Sequence, residues 1–497
     1  MAQARESLIV VSNRLPFSFE RDRRGAWQFE RGSGGLVSAL TPVLRDRGGT
    51  WIGWPGTAQS NGLAQAVKTA AAGSGYALEP VMLTEAEVRD FYRGFSNEVV
   101  WPLFHDLTPL CNFDPAYWRA YGAVNRKFAA VVRSAGSGHD FIWVHDYHLL
   151  TLASELRAGG VTSRVGFFLH IPFPPLDIFM QLPWREQLLH ALLDYDLLGF
   201  QTPRDRRNFV QCVRTLVRGA TVQGKGPVVT AQVGEREVRI GSFPISIDYR
   251  SFASGADTPQ VSAKVRDLRA HLPHRKLIFG VDRLDYTKGI PHRLRAFENA
   301  LDRYPELRER MSLIQVVVPS RAGIPEYGDL KTEIEQIVGR INGRFAKPGG
   351  WVPVWYVFGS LERADLLAYY RAADAALVTP LKDGMNLVAK EYCACSVDEN
   401  CVLILSEFAG AAAELRSGAL LVNPNDIEGV ADAIHNMVTM HAAERRVRMR
   451  RLRRIIRERD VFWWVDSFLR AAITKDLSAF PAPEKSVPAP VSEFLPL

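Results

Sequence analysis

"AALVTPLKDGMNLVAKEY" (Ala375–Tyr392) opens as an unbroken apolar run, stops at Thr379-Pro380, crosses a polar turn and re-enters an apolar pattern. An apolar run without polar alternation suits a strand covered on both faces, and the part from Leu387 onward reads as a helix. Strand, turn and helix form the building unit of a parallel sheet. Asp383, Gly384 and Asn386 stand just ahead of the helix start, with Lys390 and Glu391 one turn inside. That turn has two readings. In one the polar residues only cap a helix. In the other, free N–H groups and the positive dipole end hold a phosphorylated ligand. The stretch alone does not choose between them.

The same unit recurs along the chain. LIVVS, FIWVH, RVGFFLHI, DLLGFQT, KLIFGV, SLIQVVV, WVPVWYV, VLILS and ALLVN are further apolar runs. Helix-period segments lie between them, among them LLTLASELRAG, DRRNFVQCVRTLVRG, IPHRLRAFENALDRY and YGDLKTEIEQIVGRI. Residues 219–240 are less regular and read as strands. A chain of 497 residues exceeds what one core usually supports. The expected fold is therefore α/β, with two Rossmann-like, doubly wound domains facing across a cleft. The joint falls around Pro244–Asp248, after VRIGSF and before SGADTPQ. The expected limits are 1–245 and 246–455, then a helix over 456–480 packing back on the first domain. A Pro-rich tail, 481–497, is expected to be disordered.

Composition narrows the class. Hydrophobic residues make up 47% and charged residues 23%, as in soluble globular proteins. No apolar run approaches the ~20 residues that span a bilayer, so no membrane partner is expected. The opening MAQARESLIVVSNR lacks the long apolar segment of a signal peptide, which points to the cytoplasm. Five cysteines argue against a disulfide framework, and Cys393, Cys395 and Cys401 lack the partners of a zinc set. Much of the net charge of +7 lies in RRVRMRRLRR (Arg445–Arg454). Met449, Leu452, Ile455 and Ile456 keep an apolar stripe there, so the run reads as the solvated face of a helix. No aromatic or glycine pattern of a nucleic-acid module accompanies it, and no nucleic-acid partner is expected.

Ligands of doubly wound sheets bind at the carboxyl ends of the strands. After KLIFGV comes DRLDYTKGI, with Arg283 and Lys288; two cations on one loop can converge on a diphosphate. SLIQVVV is followed by Arg321, FIWV by Asp146 and His148, RVGFFL by His170, and LIVV by Arg14. The loop after the first strand ends in GSGGL, where Gly34 and Gly35 let backbone approach a ligand. Polar groups at so many strand ends of both halves make a site.

At this point the chain resembles the trehalose-6-phosphate synthase family. SNR, GGL, WIGWPG, FYRGFSNEVVWPLFH, VHDYHLL, GFFLHIPFP, LLGFQT, VDRLDYTKGI, GRING, TPLKDGMNLVAKEY and LSEFAGAA follow that family's order from about Leu8 to about residue 475. The resemblance implies a retaining glycosyltransferase of the GT-B arrangement. It would join glucose from a nucleoside-diphosphate glucose to glucose 6-phosphate. UDP-glucose is the first candidate, with GDP- or ADP-glucose as alternatives. The family often carries an aromatic where Leu361 stands near the base, so the base is open.

By resemblance, the N–H groups of Asp383, Gly384, Met385 and Asn386 meet the donor sugar and diphosphate. Leu387, Val388, Ala389 and Lys390 continue that contact, and Glu391 accepts from the ribose. Arg283 and Lys288 neutralise the diphosphate, Gly34 and Gly35 lie over the donor, and His170 touches its glucose. Arg14, Tyr92, Asp146 and Arg321 match the acceptor residues, and Trp101 and Ile171 match positions tied to which anomer reacts. His105 and His148 read as structural, and Trp51 and Trp54 as core. The leaving phosphate takes the acceptor's proton, so no carboxylate pair, metal or cofactor is implied. Asp194-Tyr195-Asp196 mimics the metal-binding D-x-D of other glycosyltransferases, but it precedes LLGF, away from the ligand edge, and reads as structural. A separate phosphatase would release free trehalose; homo-oligomerisation is open.

Three other readings compete. A sister glycosyltransferase acting on glycerol 3-phosphate or a cyclitol phosphate is disfavoured by Arg14, Tyr92, Trp101 and Arg321 together. A silent sugar-phosphate-binding paralogue would have lost Arg283, Lys288, Asp383 or Glu391. A nicotinamide dehydrogenase would carry G-x-G-x-x-G in its first βα turn, which is missing here.

Overall fold

The computed structural model describes residues 8–32, 35–136, 141–272, 275–320, 325–347 and 350–473. Gly34, Arg321 and the tail expected at 481–497 lie outside them. Two separate sheets account for the apolar runs. The first has nine strands, in the order Ala77–Pro80, Thr50–Trp54, Leu8–Arg14, Phe141–His145, Val165–Phe168, Leu197–Phe200, Arg236–Ser242, Val228–Val233, Thr221–Gln223. Seven run parallel, and the last two are antiparallel additions from the irregular stretch. The second has six, all parallel: Val354–Phe358, Met311–Val318, Lys276–Arg283, Ala375–Val378, Val402–Ser406, Leu420–Val422. The central strands are buried along nearly their whole length, which is why they carry no polar alternation.

Each sheet reverses its strand order once. In the first, Leu8–Arg14 lies beside Phe141–His145; in the second, Lys276–Arg283 lies beside Ala375–Val378. At such a reversal the crossovers leave to opposite faces and open a crevice beyond the carboxyl ends. Arg14 and Asp146 stand at the first crevice, Arg283 and Asp383 at the second.

The chain passes between the sheets twice, and the two passages are bonded together. Ile245 N–H donates to Gln201 Oε1 at 3.0 Å on the outward passage, and Val461 N–H donates to Ile247 O at 3.0 Å on the return. The returning helix starts at Val461, later than the 456 expected, because Asp460 accepts from the N–H groups of Phe462 and Trp463. It lies on the first sheet. Phe468 stacks on Trp143 at 4.5 Å between ring centroids and fills the space above Gly166 and Gly199, where a Cβ would come within 3.0 and 2.7 Å of its ring. Arg239 and Arg164 donate to its last carbonyls.

Two elements had no signal in the apolar pattern. A hairpin pairs Phe17–Arg21 with Trp27–Arg31. A π-helix, Val88–Val100, carries Tyr92; its wider turn suits single turns near functional sites, and here it runs for 13 residues.

Candidate active site

On the second sheet, Lys288 ends a short turn after Lys276–Arg283. Gly289 follows at φ +63°, and a Cβ there would press on Thr379 O at 2.7 Å, so glycine is required. Lys288 Nζ lies 2.5 Å from Asp383 Oδ2, with both side chains mostly buried. Burial alone would raise the Asp383 carboxyl, but the Lys288 ammonium beside it holds it below the usual range. The turn rests on a buried cation. Arg293, 1% exposed, pairs with Asp282 at 2.5 Å and also donates to Thr379 Oγ1, Gln315 Oε1 and Lys288 O. The exposed Arg283 completes the positive rim.

The helix Leu387–Cys395 begins beside this pair without a side-chain cap, since Asn386 sits at φ +72° and makes no capping bond. Its first N–H groups can therefore serve an anion. Not all the N–H groups expected to meet the donor are equally available. Asp383 N–H donates to Phe408 O and Met385 N–H to the Asp383 carboxylate, both at 3.3 Å. Asn386 Nδ2 donates to Asp383 Oδ2 at 3.2 Å, while its Oδ1 is buried with no partner among the described residues.

Lys390 has no free ammonium for the donor contact expected of it. Its side chain is turned into the protein, 1% exposed, with the ammonium on Glu414 at 2.6 Å and Ile245 O at 2.8 Å. It ties the helix to the interdomain passage. Ala389 is likewise fully buried, whereas Leu387, Val388 and Leu361 are half-buried. Glu391 accepts from Tyr370 Oη at 2.8 Å, and burial raises its carboxyl above the usual range.

On the first sheet the exposed Arg14 guanidinium lies 4.2 Å above the Trp54 ring and 5.8 Å from that of Tyr92. Tyr92 in turn stacks on His148. Trp54 and His148, read from sequence as core and structure, thus also brace this cation. Asp146 adopts φ +74°, rare for a non-glycine residue, and accepts from His170 N–H at 3.2 Å. His170 Nε2 lies 3.2 Å from His145 Nδ1, and burial lowers the His170 imidazole to about 3, so it is neutral at pH 7. Trp101 packs on His105 and Tyr147, and Ile171 is buried beside His170.

The two halves meet. Gly384 backbone lies against His170 and Ile171 so closely that a Cβ would sit 2.0 Å from His170 O. Gly410 backs it on the far side, where a Cβ would be 1.8 Å from Gly384 O. Lys382 pairs with Asp106 across the same gap. Asp194 and Asp196 are elsewhere: Asp194 holds Ser154, and Asp196 pairs with Arg157 and Arg236 at the amino end of the strand Leu197–Phe200.

The model of "Glycosyltransferase family 20" matches residues 6–474. The chain belongs to that family. Trehalose-6-phosphate synthases of Mycolicibacterium vanbaalenii and Mycolicibacterium smegmatis are each 43% identical to it, over 94% and 98% of this chain and 96% of each relative. A solved UDP-forming synthase from Burkholderia xenovorans, in complex with glucose-6-phosphate, has TM-score 0.84 at 38% identity, covering 94% of this chain and 99% of its own. The E. coli enzyme bound with UDP-2-fluoro glucose has TM-score 0.84 at 37% identity, again covering 94% and 99%. The family-20 chain described here is thus a glycosyltransferase with the GT-B arrangement. Its braces escaped sequence reading because Arg293, His145, Asp106 and Trp54 act through contacts with distant segments, although Trp54 stands inside WIGWPG and His145 inside VHDYHLL, two blocks that the family shares.

Proposed function

We propose that this glycosyltransferase makes trehalose 6-phosphate from a nucleoside-diphosphate glucose, UDP-glucose first, and glucose 6-phosphate, with retention at the donor carbon. One observation carries the reading: two cationic switch points, Arg14 with Asp146 and Arg283 with Lys288 and Asp383, open onto one cleft where Gly384 touches His170. The donor diphosphate would lie between Arg283, Lys288 and the uncapped first turn of Leu387–Cys395, under the loop of Gly34 and Gly35. Glu391 would take the ribose and Leu361 line the base. Arg14 and Arg321 would hold the acceptor phosphate, with Tyr92 and Asp146 on its sugar and Trp101 and Ile171 selecting the anomer. The relatives solved with glucose-6-phosphate and with a UDP-glucose analogue support this pair of ligands.

In the reaction the donor C1–O bond to diphosphate breaks as the acceptor's anomeric oxygen bonds to C1 on the same face. The acceptor proton passes to the departing phosphate oxygen. Negative charge grows on the diphosphate, and prepositioned cations stabilise it without reorganisation. Neutral His170 can donate to a donor hydroxyl. No side chain needs to act as a base. The same reading takes 1–245 as the acceptor domain and 246–455 as the donor domain, and places the enzyme in the cytoplasm, in keeping with five unpaired cysteines.

Incubation with UDP-, GDP- or ADP-glucose plus glucose 6-phosphate tests this. The expected product is α,α-linked trehalose 6-phosphate, identified by its anomeric proton couplings, with one donor preferred. Consumption of no donor, or a product with inverted linkage, would overturn it.

A further inference from the structure

We propose that the helix Ala442–Glu458 carries a second anion site, an effector pocket for a compact small molecule with two or more phosphate groups. Its eight arginines against Glu444 and Glu458 leave six of the chain's seven net positive charges on this one element. That balance makes the helix, and not the protein as a whole, the source of the basic field. The helix packs beside Leu387–Cys395, and next to it is a cavity of about 460 Å³. Arg450, Arg451, Arg453, Arg454 and Arg457 line it together with Glu399 and Tyr249.

The arginines fall into two groups. Arg450, Arg451 and Arg453 are engaged, Arg450 with Glu399 at 2.6 Å, Arg451 with Ser417 O at 2.9 Å and Arg453 with carbonyls and the Tyr249 ring. Arg454 and Arg457 are exposed, line the cavity and have no partner among the described residues. Glu399 is the one acidic side chain in the lining and stands at φ +54°, a conformation that non-glycine residues seldom adopt. One carboxylate facing five guanidiniums leaves an excess that a multiply charged anion can fill, and guanidinium forks match phosphate geometry. The volume suits a small ligand. The five side chains span two turns of helix, about 10 Å, which fits two or three linked phosphates and is short for a polymer backbone.

The pocket is wired to the cleft. Arg453 donates to Ala394 O at 2.7 Å and to Ser396 O at 2.6 Å, with Cys393 O at 3.3 Å. It thereby closes the carboxyl end of Leu387–Cys395, the helix whose amino end starts beside Lys288 and Asp383. An anion that draws Arg453 or displaces Glu399 acts on that helix, so occupancy should shift the Michaelis constant for the donor. This coupling rests on the donor reading above; the site itself does not.

Calorimetric titration of the full chain with inorganic tripolyphosphate tests both, with UDP and glucose 6-phosphate saturating so that the cleft is filled. Saturable one-site binding is expected. Arg454→Ala/Arg457→Ala should weaken it about tenfold or more. Without tripolyphosphate, turnover of this variant should stay within about twofold of wild type, because neither side chain has a partner to lose. Arg446→Ala, on the same helix but outside the cavity, should bind as wild type. A Gln pair at 454 and 457 repeats the test should the Ala pair melt early. Equal losses in Arg446→Ala would mean diffuse attraction and overturn the site, as would unchanged binding in both double variants. Tighter binding of a 20-mer duplex DNA than of tripolyphosphate would overturn the ligand class. Binding as expected with an unmoved donor constant would remove the coupling while leaving the site.

Discussion

Lys288 and Asp383 form a pair whose charges are held ready in a mostly buried place. The carboxylate aims the ammonium, and the growing charge of a leaving diphosphate then shares it. Interactions that strengthen in the transition state raise turnover more than binding. Lys288→Ala should therefore lower kcat by about 10²-fold or more with a smaller change in donor affinity, measured by steady-state kinetics and nucleotide titration. An unchanged kcat would take the residue out of the site. The histidines of the same region make a prediction about pH. Burial lowers His105 to about 4 and His170 to about 3, and keeps His145 well below its ordinary value. Each binds a proton when unfolded but not when folded over the window below about 6.5. Stability is thus fully present above that value and lost as pH falls through it. The rings at about 4 and about 3 by themselves give a slope of about 2–3 kcal/mol per pH unit near pH 5, and His145 acts in the same direction. Urea midpoints should drop steeply between pH 6.5 and 5, and a flat profile there would contradict the burial of these rings.

At the scale of elements, the joint between Ala375–Val378 and Leu387–Cys395 is built for close approach. Gly384 is squeezed between His170 O and the loop at Gly410, and no Cβ fits on either side. Gly384→Ala should force the loop off His170, weakening donor binding by about tenfold or more and lowering the Tm by a few degrees. Gly73→Ala, with open space around its Cβ position and, like Gly384, no positive φ, is the control for a glycine-to-alanine change without a clash. Equal donor affinity in Gly384→Ala and wild type would mean that the contact with His170 plays no part in binding.

For the whole molecule, two bonded passages at 245–247 and 460–461 join the sheets, while Lys382–Asp106 and Gly384–His170 bridge the cleft. A cleft bridged by an ion pair and a backbone contact, with a paired hinge behind it, favours closure on ligand. Small-angle scattering should show a smaller radius of gyration with UDP plus glucose 6-phosphate than without. Asp106→Ala should leave the compact form less populated and raise both Michaelis constants several-fold. Identical scattering profiles with and without saturating ligand would count against hinge closure. A wild-type response in Asp106→Ala would remove the ion pair from it.

Much of this molecule was legible along the chain because its determinants are local. An apolar run such as LIVV or SLIQVVV can be satisfied only by a strand covered on both faces, and each run became a parallel strand. Because ligands collect at the carboxyl ends of such strands, Arg14, Asp146, His170, Arg283 and Lys288 could be picked out by position alone. What tertiary structure decided is which groups meet across distance. Lys390 looked like a ligand contact in the helix's first turns, yet the helix rotation sends it inward to Glu414 and Ile245, 24 and 145 residues away. Trp54 looked like core and turned out to lie under Arg14. Arg293, one more arginine in an amphipathic helix by periodicity, became the buried prop of the Lys288 turn because Asp282 and Gln315 from two strands and Thr379, just past the end of a third, converge on it. Helix rotation and strand order set these meetings, and neither is encoded in the residues of any one segment.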